Sequence, residues 1–315
     1  MEPTHSRPHR NLVGHLALVA RGFCMGAADI VPGVSGGTMA FILGIYEELI
    51  HSIKAFDRRT IRLLLHFKIR TALRYLPWQF LLSLGTGVVL AILSLAHFLE
   101  TQLQAQPSRI WSFFFGLVLA SVVTVSRSVQ RWNATALVSA LVAVGAGYLL
   151  VGVVPVQTPE TYWYLFLSGA LAICAMILPG ISGAFILVLL GKYEYVLSAV
   201  NNRDILTLAA VMAGAILGIM TFARILSWLF DRHNNTTVAT LTGLMIGSLR
   251  KLWPWKETLS TNIDRHGNVV PLEQINVFPA TFDADVRFAV GMAILGLAVV
   301  LIITWLGERK TRDVT

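Results

Sequence analysis

Apolar segments recur along almost the whole chain, separated by short polar stretches. They lie at about 12–30, 38–50, 78–99, 110–126, 134–154, 163–178, 184–197, 205–226, 236–249 and 288–306. They are too many for one soluble core, and several approach the roughly 20 apolar residues that a helix needs to cross a bilayer. The pattern therefore predicts an all-α polytopic membrane protein.

A short motif, Pro-Gly-x-Ser-Gly, occurs twice in the sequence. It covers residues 32–36 and 179–183, an offset of 147, and a Gly-x-Tyr-Glu motif keeps the same offset at 44–47 and 191–194. An offset held across two motifs predicts an internal repeat.

A third match, Gly-Leu at Gly116 and Gly243, has an offset of 127. The shorter offset is explained by one insertion in the first half, within the basic stretch after His51. We therefore predict two homologous repeats. A cytoplasmic tail at 1–10 precedes the repeats. The first repeat, at 11–155, contains a hairpin at 12–50, a basic cytoplasmic insertion at 51–76 and three spans. The second repeat, at 160–310, contains a hairpin at 163–197, three spans and an external loop at 251–286.

Each Pro-Gly-x-Ser-Gly motif divides an apolar hairpin whose second arm is short. The arms at 38–50 and 184–197 reach only about 20 Å at 1.5 Å per residue, whereas the hydrocarbon core is roughly 30 Å thick. We expect both to be re-entrant helical hairpins with the broken backbone at depth, where protein or a wet cavity must satisfy its amides. Two full spans per hairpin remain the alternative.

The distribution of Lys and Arg predicts the orientation. With three spans in each half, the second half is inverted relative to the first, and both termini are cytoplasmic. This arrangement places most of the basic residues on the cytoplasmic side, as the positive-inside rule requires. The basic stretch from His51 to Tyr75 is expected to form one or two surface helices on anionic lipid.

Composition supports a membrane protein and excludes several other classes. Of 315 residues, 55% are hydrophobic and 13% charged, about half the roughly 25% charge of a soluble domain. The net charge of +8 does not indicate nucleic acid binding, since the basic residues form no continuous stripe. Cys24 and Cys174 each lie in an apolar run, which gives neither a disulfide framework nor a thiolate metal site.

Inverted repeats with broken elements that meet near the midplane are typical of secondary transporters. Glycine-rich tips turn several N–H groups toward one point, which suits an anion such as phosphate. The candidate substrate-binding residues are Arg21, Gly33, Ser35, Gly36, Gly37, Thr38, Gly180, Ser182, Gly183 and Arg224. The alternative is that the motif is only a helix break that permits close packing.

Three acidic residues are candidates for ion or proton coupling. Asp29 lies in a membrane-embedded arm, where a carboxylate is costly and usually functional; pairing with Arg21 or capping of the hairpin backbone is the alternative. Glu47 and Glu194 follow tyrosines at the hairpin bases, where interfacial anchoring is the alternative. We expect no cofactor or metal, and coupling to protons or sodium is open. No hydrolase, metalloprotease or nucleotide-binding motif indicates an enzyme.

The run Gly26-Ala-Ala-Asp-Ile-Val-Pro-Gly-Val-Ser-Gly-Gly-Thr38, the run Leu178-Pro-Gly-Ile-Ser-Gly183 and the segment Gly243-Leu-x-x-Gly-Ser-Leu249 resemble the bacterial PopT family, also called domain of unknown function 368. The resemblance covers about residues 11–306. It implies a translocase (flippase) of the inner membrane that returns undecaprenyl phosphate from the outer to the cytoplasmic leaflet for cell-envelope synthesis.

The residues themselves leave two other functions open. One is an ion-coupled carrier of a soluble anion, and the other is an intramembrane lipid-phosphate enzyme. Polyprenyl phosphate and membrane lipids are the expected partners under the resemblance, nucleic acid is not, and homo-oligomerisation is left open.

Overall fold

The computed structural model describes residues 10–31, 34–153, 155–156, 158–263 and 269–312. Its helices and strands are α1 (Leu12–Ile30), α2 (Gly36–Ile42), α3 (Tyr46–Lys54), α4 (Arg58–Leu65), α5 (Ile69–Tyr75), α6 (Trp78–Ala105), α7 (Pro107–Ser126), α8 (Ala134–Leu150), α9 (Tyr162–Ile177), α10 (Gly183–Leu189), α11 (Tyr193–Asn201), α12 (Ile205–Leu252), β1 (Lys256–Ile263), β2 (Val269–Asn276) and α13 (Ala284–Arg312).

Five of the described helices are long and apolar enough to cross a membrane, and a bent pair, α10 with α11, raises the number to six. The five are α1, α6, α7, α12 and α13, while α8 and α9 are shorter apolar helices. The prediction of a mostly helical, multi-pass membrane protein is confirmed.

Helix α12 consists of two helical segments joined by a reversal. His233 leaves the helical region with φ −136° and ψ 46°, and the Thr237 hydroxyl donates to the Leu229 carbonyl at 3.1 Å. In a straight helix, eight residues would separate those positions by about 12 Å. The chain therefore turns back at His233, between the predicted spans 205–226 and 236–249.

The sequence offsets reappear as packing contacts. A side chain at Gly22 in α1 would collide with the Leu84 carbonyl of α6, and one at Gly169 in α9 with the Val211 carbonyl of α12. Gly22 and Gly169 are 147 residues apart, and Leu84 and Val211 are 127 residues apart. These separations equal the two offsets of the sequence motifs. The same close helix crossing is thus built twice.

The remaining helices pack between the two halves of the chain. Helix α7 lies against α13 and α8 against the second part of α12. Gly116 on α7 faces the Ala293 carbonyl of α13, and Gly243, its match in the sequence, faces the Ala140 carbonyl of α8. The halves are therefore interlocked and share one core.

The prediction of a continuous second arm in each hairpin is wrong. The first arm is broken between α2 and α3, where Gly44 has φ +66°, and the second between α10 and α11, where Gly191 has φ +64°. The second break bends the chain by 106°. Both glycines belong to the repeated Gly-x-Tyr-Glu motif, and the left-handed backbone that they adopt ends the helix. Helices α2 and α10 each have seven residues and reach about 10 Å.

Each hairpin returns to the place where it began. Both guanidinium nitrogens of Arg10, just before α1, contact the Glu48 carboxylate on α3 at 2.6 and 2.7 Å. In the second hairpin, the amide of Val156, ahead of α9, donates to the Leu189 carbonyl at the end of α10 at 2.8 Å. The two ends of each hairpin are therefore neighbours.

Two regions outside the spans have their own structure. The basic stretch after the first hairpin forms the short helices α4 and α5, one of the two arrangements expected. The loop after α12 contains an antiparallel hairpin of β1 and β2, paired from Lys256 with Asn276 to Ile263 with Val269, a local addition to the all-α fold. Its expected turn at 264–267 lies outside the described residues.

Alanine at Gly87 or Gly214 is expected to destabilise the protein, since the added Cβ would collide with the Val19 or Phe166 carbonyl of the facing helix. Overpacking of this kind costs about 1–3 kcal/mol, measured as a lower thermal unfolding midpoint in detergent. Gly145→Ala is the control, because nothing lies within 4 Å of its ideal Cβ position. Equal midpoints for all three variants would show that these glycines do not set the helix separation.

Candidate functional site

The two hairpin tips contact each other through hydrogen bonds. The amide of Gly180 in the second tip donates to the Thr38 hydroxyl of the first at 2.9 Å. The Ser35 hydroxyl lies 2.9 Å from the Met176 carbonyl and 3.1 Å from the Leu178 carbonyl. Ser35 and Thr38 are completely buried. The predicted meeting of the two tips is therefore present in the structure.

Close packing accompanies these bonds. The Tyr46 hydroxyl donates to the Ile177 carbonyl at 3.1 Å, and a Cβ on Gly37 would collide with that same carbonyl. Gly180 has φ +91°, and its ideal Cβ position is 2.7 Å from the hydroxyl oxygen of Ser248 on α12. Glycine is needed at these positions because backbone from one hairpin approaches the other.

Asp29 caps the backbone of the first tip. Its Oδ1 accepts a 2.6 Å hydrogen bond from the amide of Gly36, which begins α2, and Ser35 accepts another from the Gly37 amide at 3.1 Å. Capping was one of the two structural roles expected for this carboxylate. The other, pairing with Arg21, is absent from the described part of the chain. The second tip has Met176 at the matching position.

The tips differ in which polar groups remain available. In the first tip, the amides of Gly36 and Gly37 are taken by side chains, and Gly33 lies outside the described residues. In the second, Ser182 is buried but does not cap α10, and its hydroxyl has no hydrogen bond to any other described residue. Gly183 packs with its ideal Cβ position 2.6 Å from the Ala172 carbonyl. Ser182 is therefore the tip hydroxyl that is free for a ligand.

The two predicted cations are not in contact with the tips in this conformation. Arg224 donates to the carbonyls of Met220 at 2.8 Å and Phe56 at 3.3 Å, so its guanidinium faces the loop after α3. Arg21 lies eight residues before Asp29 on α1, about 12 Å along the helix. No hydrogen bond or ion pair joins either arginine to a tip within the described ranges.

Glu47 and Glu194 occupy equivalent places in the two hairpins. Both are exposed and lie in the first turn of the helix that follows the bend, α3 and α11 respectively. A carboxylate at this position interacts favourably with the helix dipole. Neither is at a tip, and their role in coupling stays a prediction.

A second candidate region, which the sequence analysis did not single out, is a cavity of about 380 Å³ beside the second hairpin. Its cations are Arg250 and Lys251, at the end of α12, and Lys256, at the start of β1. The local signal was three cations within seven residues, interleaved with Trp253 and Trp255. The sequence analysis assigns these cations no role, because their spacing alone does not show that they line one cavity.

Comparisons with known proteins identify the family of this chain. A "Polyprenyl-phosphate transporter" of Vibrio cholerae is 39% identical over 221 residues, 70% of this chain and 72% of the relative. A protein of the same name from Staphylococcus aureus is 31% identical over 235 residues, 68% of this chain and 78% of the relative. No solved structure matches. The family model described as "VCA0040-like: Undecaprenyl phosphate translocase-like" matches residues 25–270, and the chain belongs to this family.

Proposed function

We propose that this protein moves a polyprenyl phosphate, undecaprenyl phosphate in a bacterial inner membrane, from the outer to the cytoplasmic leaflet for reuse in envelope synthesis. The observation that carries the proposal is the junction of two buried, hydroxyl-bearing tips in a membrane-spanning fold. The names of the relatives and the PopT resemblance supply the lipid class. The direction follows from the resemblance alone.

An inverted repeat accounts for how such a junction would work. The first hairpin has its base beside Asp231 on α12, which contacts His51 and Lys54 at 3.7 and 3.8 Å. The second has its base beside Arg250 and Lys251, beyond the reversal at His233. Asp231 lies two residues before the reversal at His233 and Arg250 lies 17 residues after it, so about 25 Å of helix separates these two levels. We propose that the hairpins enter from opposite faces, so that their tips can open alternately to each leaflet.

Phosphate binding at the tips requires them to separate. The donors now engaged across the junction, the Gly180 amide and the Ser35 hydroxyl, would exchange their present acceptors for phosphate oxygens, with Ser182 available before any bond breaks. Arg21 and Arg224 would contribute charge once the hairpins have moved, while the prenyl chain stays in lipid. A cleft that opens sideways to lipid fits this mechanism, and a fully enclosed cavity would fit a carrier of soluble anions.

Asp29 is positioned to couple phosphate binding at the junction to the binding of a proton or another cation. An ionised Asp29 carboxylate occupies the Gly36 amide, a donor that a phosphate would need. Its negative charge also repels the phosphate. Protonation, or displacement by a cation, removes both obstacles. We therefore propose Asp29 as the coupling group, with Glu47 and Glu194 as weaker candidates.

Uptake of labelled undecaprenyl phosphate into proteoliposomes, with the leaflet of each molecule assigned by an impermeant reagent, tests the function directly. Movement of the intact lipid between leaflets is expected. Release of inorganic phosphate would identify an enzyme instead, and movement of free phosphate without the lipid would identify a soluble-anion carrier.

Ser182→Ala is expected to weaken lipid binding about tenfold or more, because a hydrogen bond to a charged group is worth about 1.5–3 kcal/mol. The variant breaks no hydrogen bond within the described structure, so the loss would come from the ligand. Gly36→Ala and Gly183→Ala are also expected to impair transport, but their Cβ atoms meet Asp29 and Ala172, so they do not separate packing from binding.

Ser168→Ala is the matched control for Ser182→Ala. Ser168 is a buried serine on α9 whose hydroxyl donates to the Tyr164 carbonyl at 2.7 Å. Wild-type affinity in the Ser182 variant, measured by titration of undecaprenyl phosphate, would move the phosphate away from this tip.

The Asp29→Asn variant distinguishes a role of Asp29 in ion coupling from its role in capping the backbone of the first tip. Asparagine keeps an oxygen that accepts from the Gly36 amide but removes the titratable charge, so the protein should remain folded. We expect lipid movement that no longer responds to an imposed proton or sodium gradient. Normal gradient dependence in a well-folded Asp29→Asn protein would exclude Asp29 as the coupling group.

Cysteine labelling tests the topology in a background without the two free cysteines, Cys24 and Cys174. Single cysteines at Asn11 and His51 should both react from the cytoplasmic side, and those at Glu160 and Asn201 from the outside. The reason is that each hairpin returns to its starting point. Opposite sidedness for Asn11 and His51 would exclude re-entry of the first hairpin.

A further inference from the structure

The cavity beside the second hairpin concentrates positive charge on a partly buried surface. Its walls come from the segment that follows α8, from α10 and α11, from the end of α12 and from both strands of the β-hairpin. Arg250, Lys251 and Lys256 line it together with one acid, Glu273. Within the described residues, none of the three cations has a carboxylate at ion-pair distance.

Aromatic rings and backbone carbonyls hold these cations in place. The Lys251 ammonium lies 4.9 Å from the centre of the Phe185 ring, and the Lys256 ammonium lies 4.6 Å from that of Trp111. Lys256 also donates to the Lys251 carbonyl at 2.7 Å. Cation–π contacts stabilise an ammonium by only about 0.5–2 kcal/mol, less than withdrawing it from water costs. An anion in the cavity would supply the missing counter-charge.

The arginine is fixed in the same way. Its guanidinium lies 4.3 Å from the centre of the Tyr148 ring and donates to the Tyr148 carbonyl at 3.0 Å. On the other side, the Asn276 amide of β2 donates to the Arg250 carbonyl at 2.9 Å. The β-hairpin is therefore tied to the end of α12 and holds one wall of the cavity in position.

The cavity runs along α10 toward the second tip. Its lining extends from Leu189, at the end of α10, to Ala184, which follows Gly183, the last residue of the repeated motif. Ser248, which faces Gly180, lies three residues before Lys251 on α12, about 5 Å along the helix. A group bound at Lys251 would therefore lie about one helical turn from the level of the tip that carries the free Ser182 hydroxyl.

We propose that this cavity is a separate subsite for a phosphate monoester, in which Lys251, Lys256 and Arg250 hold the lipid headgroup before it reaches the tips. The inference rests on the proposed transport of a polyprenyl phosphate. A phosphate monoester carries about −1.5 to −2 charges at neutral pH and presents three strong acceptor oxygens, which matches three convergent cations better than a singly charged carboxylate does.

Lys256 gives the subsite a pH dependence that can be measured. Burial and the neighbouring Lys251 ammonium lower the pKa of Lys256 to about 7. The other charged or titratable groups that line the cavity are Arg250, Glu273 on β2 and Tyr193 on α11. Because a lysine with a lowered pKa loses its charge as the pH rises through that value, phosphate binding should weaken between pH 7 and pH 9.

The test is binding of radiolabelled undecaprenyl phosphate to the full-length protein in lipid nanodiscs, alongside leaflet-resolved transport. Lys251→Gln and Lys256→Gln should each weaken binding about tenfold or more at pH 7. Arg287→Gln is the matched control, an exposed cation in the same part of the chain but outside the cavity. Lys256→Arg should bind at pH 7 and keep its affinity at pH 9, since arginine stays charged.

Competition binding distinguishes a lipid phosphate headgroup from free inorganic phosphate as the ligand of the cavity. Unlabelled undecaprenyl phosphate should displace the probe, whereas undecaprenol and inorganic phosphate should not at equal concentration. Wild-type affinity in both lysine-to-glutamine variants, with transport intact, would overturn the subsite and leave the proposed function standing. Equal displacement by inorganic phosphate would overturn the assignment to the lipid headgroup. A wild-type protein that neither binds nor moves the lipid would overturn the proposed function itself.

Discussion

The fold depends on the hydrogen bonds that join the two hairpin tips. Broken backbone inside an apolar body must find partners, because water is absent there and an unsatisfied polar group costs several kcal/mol. The Thr38 hydroxyl accepts from Gly180 and the Ser35 hydroxyl donates into the carbonyls before Pro179. The polar groups of one tip thus find their partners on the other.

The two tips are equivalent in backbone but different in chemistry. The first holds a carboxylate, Asp29, on its own amide, while the second has Met176 at the matching position and an uncapped serine, Ser182. The second tip is also the one that adjoins the cationic cavity. The two tips therefore present different polar groups, although their backbones follow the same repeated motif.

The sequence predicted the features that repeat and missed those that depend on distant partners. The spans, the tips and the two offsets followed from apolar length and from self-comparison, since both signals are local. The bends at Gly44 and Gly191 were present in the repeated motif but were interpreted as part of a continuous arm. The Gly180 partner of Thr38 is 142 residues away, so no local pattern could pair them. The cavity cations are close in sequence, but their spacing does not show that α12 and the β-hairpin enclose them together with α10 and α11.

The strength of the junction also limits how the protein can work. A neutral hydrogen bond contributes about 0.5–1.5 kcal/mol net, so the few bonds across the tips amount to only a few kcal/mol. Charge-assisted bonds to a phosphate are roughly twice as strong each. A ligand can shift a conformational equilibrium only by its differential affinity for the two states. Under the proposed function, this difference is large enough for a bound headgroup to replace the tip contacts, whereas without a ligand the contacts between the tips favour the closed arrangement.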